Sequence, residues 1–233
     1  MPPHKRLTLT LPIQFDDLPD FDVNTSTKSS ASKIRGPRPP PQILNPYQKL
    51  YFNSNYSYLS PPSSPYIPQS SPNLAIYRAI AASPTSSAHD SSDSNGEMTP
   101  NLAPVDDGFL LPGELGSGPH ADSSMHWISP VSGFFGCTDG NAALPCILTI
   151  RGYVGVAPRK QPSVAQVVTV PPCPAMTGCE LVPVTFRDDF EGLTALQVVA
   201  TVGEEMVDWY VDDLVIDWFD TSCEAQTARA MTD

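Results

Sequence analysis

The sequence predicts an all-β protein, an antiparallel β-sandwich of jelly-roll type with long Pro/Ser-rich loops, on three observations. Short segments alternate apolar and polar residues with a period of two, and turn signals separate them. No segment sustains a 3.6-residue apolar period. The 233 residues include 27 prolines, each of which removes a backbone donor and fixes φ. The length suits one large domain, with a tail over 1–6, a single sandwich over 7–224 and a tail over 225–233.

The elements follow in order. Leu7, Leu9, Leu11, Ile13 and Phe15 alternate with Thr8, Thr10, Pro12 and Gln14, a half-buried strand in which Pro12 marks an edge. Residues 23–46 are rich in Ser, Thr, Lys and Pro and read as a long exposed loop. Residues 47–77 hold six of the eight tyrosines, in a Pro/Ser-rich setting that favours short extended segments. Residues 79–124 contain no Lys or Arg and read as an acidic low-complexity insertion.

The second half carries denser strand signal. Met125–Cys137 leads to a turn, and Cys146, Leu148, Ile150, Gly152 and Val154 mark one face of the next strand. Val164–Val170 is β-branched. Val182, Val184 and Phe186 form a short inward face, and Leu196, Val198, Ala200 and Val202 alternate again. In Val207–Phe219 the apolar positions change parity, from Val207, Trp209 and Val211 to Leu214, Ile216 and Trp218. Such a flip needs one extra residue, so a β-bulge is expected at Asp212–Asp213, unless a turn splits two strands there. These parities place Trp209 and Trp218 in the core.

Composition excludes some functions. No stretch approaches the roughly 20 apolar residues of a membrane span. A net charge of −12 argues against a nucleic-acid role, which needs clustered Lys and Arg. Of the five cysteines, Cys137–Cys146 and Cys173–Cys179 are close in sequence and read as hairpin and loop staples, leaving Cys223 over. Reduced thiols remain the alternative; no C-x-x-C spacing supports zinc. Sequons at Asn24 and Asn55 fit secretion, whereas the first 15 residues lack the apolar region of a signal peptide. The expectation is a piece of a longer secreted precursor, or a misassigned start.

Several segments together resemble a known family: FDDLP (Phe15–Pro19), the Asn45–Tyr66 stretch, SPNLAIYRA (Ser71–Ala79) and LPGELGSGP (Leu111–Pro119). FFGC (Phe134–Cys137), PCILTIRGY (Pro145–Tyr153), PPCPAMTGCEL (Pro171–Leu181) and VDWYVDDLVIDW (Val207–Trp218) complete the set. In this order they resemble a fungal family of uncharacterised extracellular domains, a domain of unknown function found at the C-terminal end of secreted Ser/Thr-rich proteins. The resemblance implies a β-sandwich, secretion and no assigned activity, and it carries no catalytic residues.

The chemistry of individual residues offers two sites. Asp16–Asp17 closes the first strand and Asp212–Asp213 interrupts the last. If the terminal strands pair, four carboxylates meet, and a structural Ca²⁺ would relieve their repulsion. The alternative is that these aspartates cap turns at the sheet rim. A glycan surface is the second site, built on Tyr47, Tyr51, Tyr56, Tyr58, Trp127 and the outward-parity Tyr210. Packing of these tyrosines onto the sandwich is the competing reading.

Catalysis finds less support. There is no G-x-S-x-G elbow, His4, His89, His120 and His126 read as solvated loop residues, and Asp188–Asp189 and Glu204–Glu205 read as turn residues. The expected function is a non-enzymatic, monomeric, extracellular or cell-wall-associated module that recognises a cell-wall glycan or a surface protein. A carbohydrate-active hydrolase or its accessory domain is the alternative, and a structural spacer is a third reading.

Overall fold

The computed structural model describes residues 11–19, 39–79, 110–138, 144–156, 161–175 and 177–231. Among the described residues there are twelve strands: β1 (Leu11–Ile13), β2 (Tyr51–Phe52), β3 (Tyr56–Leu59), β4 (Leu74–Tyr77), β5 (Glu114–Gly116), β6 (Ile128–Cys137), β7 (Cys146–Tyr153), β8 (Val164–Val170), β9 (Val182–Thr185), β10 (Ala195–Val202), β11 (Glu205–Met206) and β12 (Trp209–Trp218). One helix, α1 (Cys223–Ala230), follows them. One sheet has the order β3-β4-β12-β6-β9, with β1 also on β12; the other has the order β2-β5-β10-β7-β8, with β11 also on β10. Every pairing between these strands is antiparallel, as the sequence predicts for a sandwich. No described helix is long and apolar enough to cross a membrane.

Both sheets feed one core. The alternating positions Leu148 and Ile150 on β7, Leu196, Val198 and Ala200 on β10, and Val211, Leu214 and Ile216 on β12 are all buried. Val154 is exposed, because β7 ends at Tyr153. Trp209 forms the aromatic centre, edge-on to Tyr56 at 5.6 Å and stacked on Tyr77 at 5.7 Å.

The parity flip in β12 is a bulge. Its register against β6 shifts between Asp212 and Val215, and Asp213 has a φ of 44°. The bulge is also where β12 changes neighbours: Trp209–Val211 pair with β4, and Leu214–Ile216 pair with β1. The extra residue bends the strand between two partners.

The disulfides Cys137–Cys146 and Cys173–Cys179 form. Cys173–Cys179 closes a loop as expected, but Cys137–Cys146 does not staple a hairpin. Cys137 ends β6 in one sheet and Cys146 begins β7 in the other, so the bond ties the sheets together. Cys173–Cys179 sits in the β8–β9 connection, which also crosses between sheets. Cys223 is a free, exposed thiol. Reducing both bonds is expected to cost about 2–5 kcal/mol, read as a lower urea midpoint with dithiothreitol, and the Cys137→Ser/Cys146→Ser variant should show most of the loss. An unchanged midpoint would contradict this account.

Three segments depart from the sequence reading. Residues 110–124 do not belong to an acidic insertion: Glu114–Gly116 pairs with β10, and Glu114 is fully buried. Residues 39–46 do not continue an exposed loop throughout, since Ile43 is buried and its N–H bonds the Tyr56 carbonyl at 3.2 Å. Residues 225–231 are not a free tail. Cys223–Ala230 is helical, capped by the Ser222 hydroxyl on the Ala225 N–H at 3.2 Å, with Arg229 buried. Residues 20–38 and 80–109 lie outside the described residues.

Candidate functional site

The aspartates do not assemble a metal site. The Tyr47 hydroxyl is bonded to Asp17, and burial followed by that hydrogen bond pushes the phenol up. Asp16 accepts the Asn73 N–H at 3.4 Å. Asp212 is fully buried and accepts N–H groups from Gln69 at 2.7 Å, Ser70 at 3.0 Å and Asp213 at 2.9 Å. One Asp213 oxygen is buried without a partner. Among the described residues no three His, Cys, Asp or Glu side chains converge as a metal would require. The charge on Asp212 is met by backbone dipoles.

The tyrosines do not form an exposed platform either. Tyr47, Tyr56, Tyr58 and Tyr210 are buried, and of the six proposed rings only Tyr51 and Trp127 are half-exposed. Alternation does aim Tyr210 and Asp212 away from the inner core, but the β3–β4 connection folds over that outer face. Tyr66 from this loop packs on Tyr210 at 5.1 Å, and its hydroxyl donates to the Cys137 carbonyl at 2.9 Å. Burial raises the Tyr210 phenol to about 12. Gly136, opposite Tyr210, gives Tyr66 its place: a Cβ there would lie 2.6 Å from the Tyr66 ring. Asn24 lies outside the described residues, and Asn55 is half-buried in the β2–β3 turn, with its side chain on the Tyr77 hydroxyl.

A cleft that sequence reasoning missed opens at the other end of the same sheet. The β6–β9 pairing stops at Ser132 and Thr185, where the chain leaves the sheet as an arch. The arch is tied to β6 at both feet. Phe186 donates to the Val131 carbonyl at 2.9 Å, and Leu193 exchanges two 2.8 Å bonds with Ile128. Phe186 and Phe190 anchor it in the core. The exposed turn Asp188–Asp189 forms its crest, where Arg187 and Asp189 pair at 2.6 Å. Their hydrogen bond holds the Asp189 carboxyl below its usual range and raises the Arg187 guanidinium. Gly192 closes the arch at a φ of 63°, and its N–H reaches the Ser129 hydroxyl at 3.2 Å.

Under the arch lies a cavity of about 330 Å³, within the size range of small-ligand sites. Its wall includes Arg187, Asp188, Glu191, Asp217, Trp218 and Phe219. Trp218 is half-exposed, packed against the core from its edge where a fully buried position was expected. Trp127 stands behind Phe219 at 5.9 Å. One Asp217 carboxylate oxygen is buried with no hydrogen-bond partner. An acceptor in that state is costly unless something donates to it.

A second cavity, of about 490 Å³, is almost wholly apolar, with Tyr77, Leu111, Met206, Val207 and Trp209 in its wall. Ala79 and Leu111 border it, next to residues 80–109 outside the described set.

Fold and site thus define a sandwich-like all-β domain, tied across its sheets by a disulfide and carrying a mixed aromatic and carboxylate cleft. The chain belongs to the family described as a domain of unknown function (DUF7371), whose model matches residues 8–229. No curated protein and no solved structure is significantly similar to it.

Proposed function

We propose that the chain is a non-enzymatic, extracellular recognition module that binds a glycan in the cleft beneath the Arg187–Gly192 arch. The observation that carries this reading is the cavity itself, in which the Trp218 and Phe219 rings stand beside Asp217, Asp188 and Glu191. Sugars present apolar C–H faces that pack on aromatic rings, and hydroxyls that donate to fixed carboxylates. Arg187, Asp188 and Glu191 supply further donors and acceptors at the rim. The two disulfides support an oxidising, extracellular setting.

The test is calorimetric titration with β-glucan, chitin and mannan oligosaccharides, with product analysis of the same mixtures. Saturable binding without product is expected for one glycan class, and Trp218→Ala and Asp217→Asn should each weaken it by about tenfold or more at unchanged far-UV spectrum. Product release would instead make the domain a hydrolase. Neither binding nor product would leave the role of a structural spacer.

A further inference from the structure

We propose that acidification undocks α1 by charging the His126 side of its seat and frees the Trp218 ring, so that the cleft loosens in acid. The consequence for ligand affinity rests on the glycan reading of the cleft; the undocking does not.

The docking of α1 centres on Arg229. Only Ala225 and Arg229 of its eight residues are buried, and a helix this short is marginal by itself. Arg229 is the anchor. Its Nη1 donates to the carbonyls of Met125 and of Asp220, the latter at 3.0 Å. Its guanidinium carbon lies 4.9 Å from the Trp218 ring centroid, so the residue that holds the helix also holds the cleft wall.

The surface that receives α1 is the single turn Ser124–His126. His126 is buried there, against the expectation of a solvated side chain, and its ring stacks on His120 at 4.6 Å and 24°. His120 in turn touches the Tyr51 ring at 5.9 Å. The charged groups facing His126 are His120, Arg229 and Asp122, and Asp220 faces Arg229. The junction holds two carboxylates, Asp122 acting on His126 and Asp220 on Arg229. Protonation of His126 adds a cation to the junction beside the buried Arg229 guanidinium. One of its two carboxylates, that of Asp220, is already bonded to the Ser222 N–H at 2.9 Å.

Burial, then His120 and Arg229, hold the His126 imidazole below its ordinary 6.5. The undocked chain therefore binds this proton more readily than the docked one. Docking is complete above the ordinary value and is lost as pH falls through the docked value.

Hydrogen exchange of Cys223–Ala230, corrected for intrinsic rates, is the test at pH 7.5 and 5.0. Protection in the wild type should fall about tenfold on acidification, and His126→Gln should make it independent of pH. His120→Asn, at a half-buried position where misfolding is a smaller risk, should reduce the fall. Equal protection at the two pH values, or an undiminished fall in both variants, overturns the proposal. No ligand enters this readout, so a blank glycan panel removes the glycan reading and leaves α1 docking to be judged by itself.

Discussion

Asp212→Ala is expected to be among the most damaging single substitutions, at about 3–5 kcal/mol, because it strands the N–H groups of Gln69, Ser70 and Asp213. With them goes the clasp between the β3–β4 connection and the outer face of β12. Asp212→Asn keeps an acceptor and should cost less. It should also change the pH dependence. Burial pushes the Asp212 carboxyl up to about 6, against the pull of those backbone donors and with a smaller push from Asp213. Between 3.8 and about 6 the folded chain holds a proton that the unfolded chain has released. This contribution is therefore fully present below the lower value and lost as pH rises through the upper one. The sign is opposite to that of His126. Urea midpoints at pH 4, 5, 7 and 8 should show a wild-type term that falls with pH and is absent from Asp212→Asn. An identical pH profile in the variant would sink the assignment.

Trp209→Ala should remove about 4 kcal/mol, enough to bring a domain of ordinary stability close to unfolding. The side chain is 1% exposed and touches Tyr56, Tyr77 and Phe135, rings from three strands. Trp209→Phe is the informative control. The indole N–H is buried without an acceptor, so phenylalanine loses area while it removes an orphaned donor. Its cost should be about 1 kcal/mol or less, measured as the shift in urea midpoint. A loss equal to that of alanine would mean that the N–H has a partner.

What the sequence revealed was whatever a period of two can carry. β6, β7, β8, β10 and β12 are long enough to alternate several times, and the bulge at Asp212–Asp213 appears as an interruption of that alternation. Tyr210 shows the limit. It alternates with Trp209 and Val211, yet its exposure depends on Tyr66, a residue 144 positions away, in a loop with no periodicity of its own. The cleft was hidden for a similar reason. Arg187–Gly192 reads as a polar turn, and only the bonds of Phe186 and Leu193 to β6 set it over Asp217 and Trp218. The helix α1 did leave a signal: Ser222 as cap, Glu224 in the first turn and Arg229 in the last. At eight residues it was too short for an apolar stripe to declare it.

The place of β12 also governs how the chain must be made. It is the last strand in sequence, yet β1, β4 and β6 all hydrogen-bond to it. A ribosome therefore releases most of the sheet's pieces before the strand that joins them. β1 in particular has no described strand neighbour until Leu214–Ile216 emerge. Assembly of this sheet is deferred until β12 has been made, and any product truncated before Trp218 leaves its strand edges open to other chains.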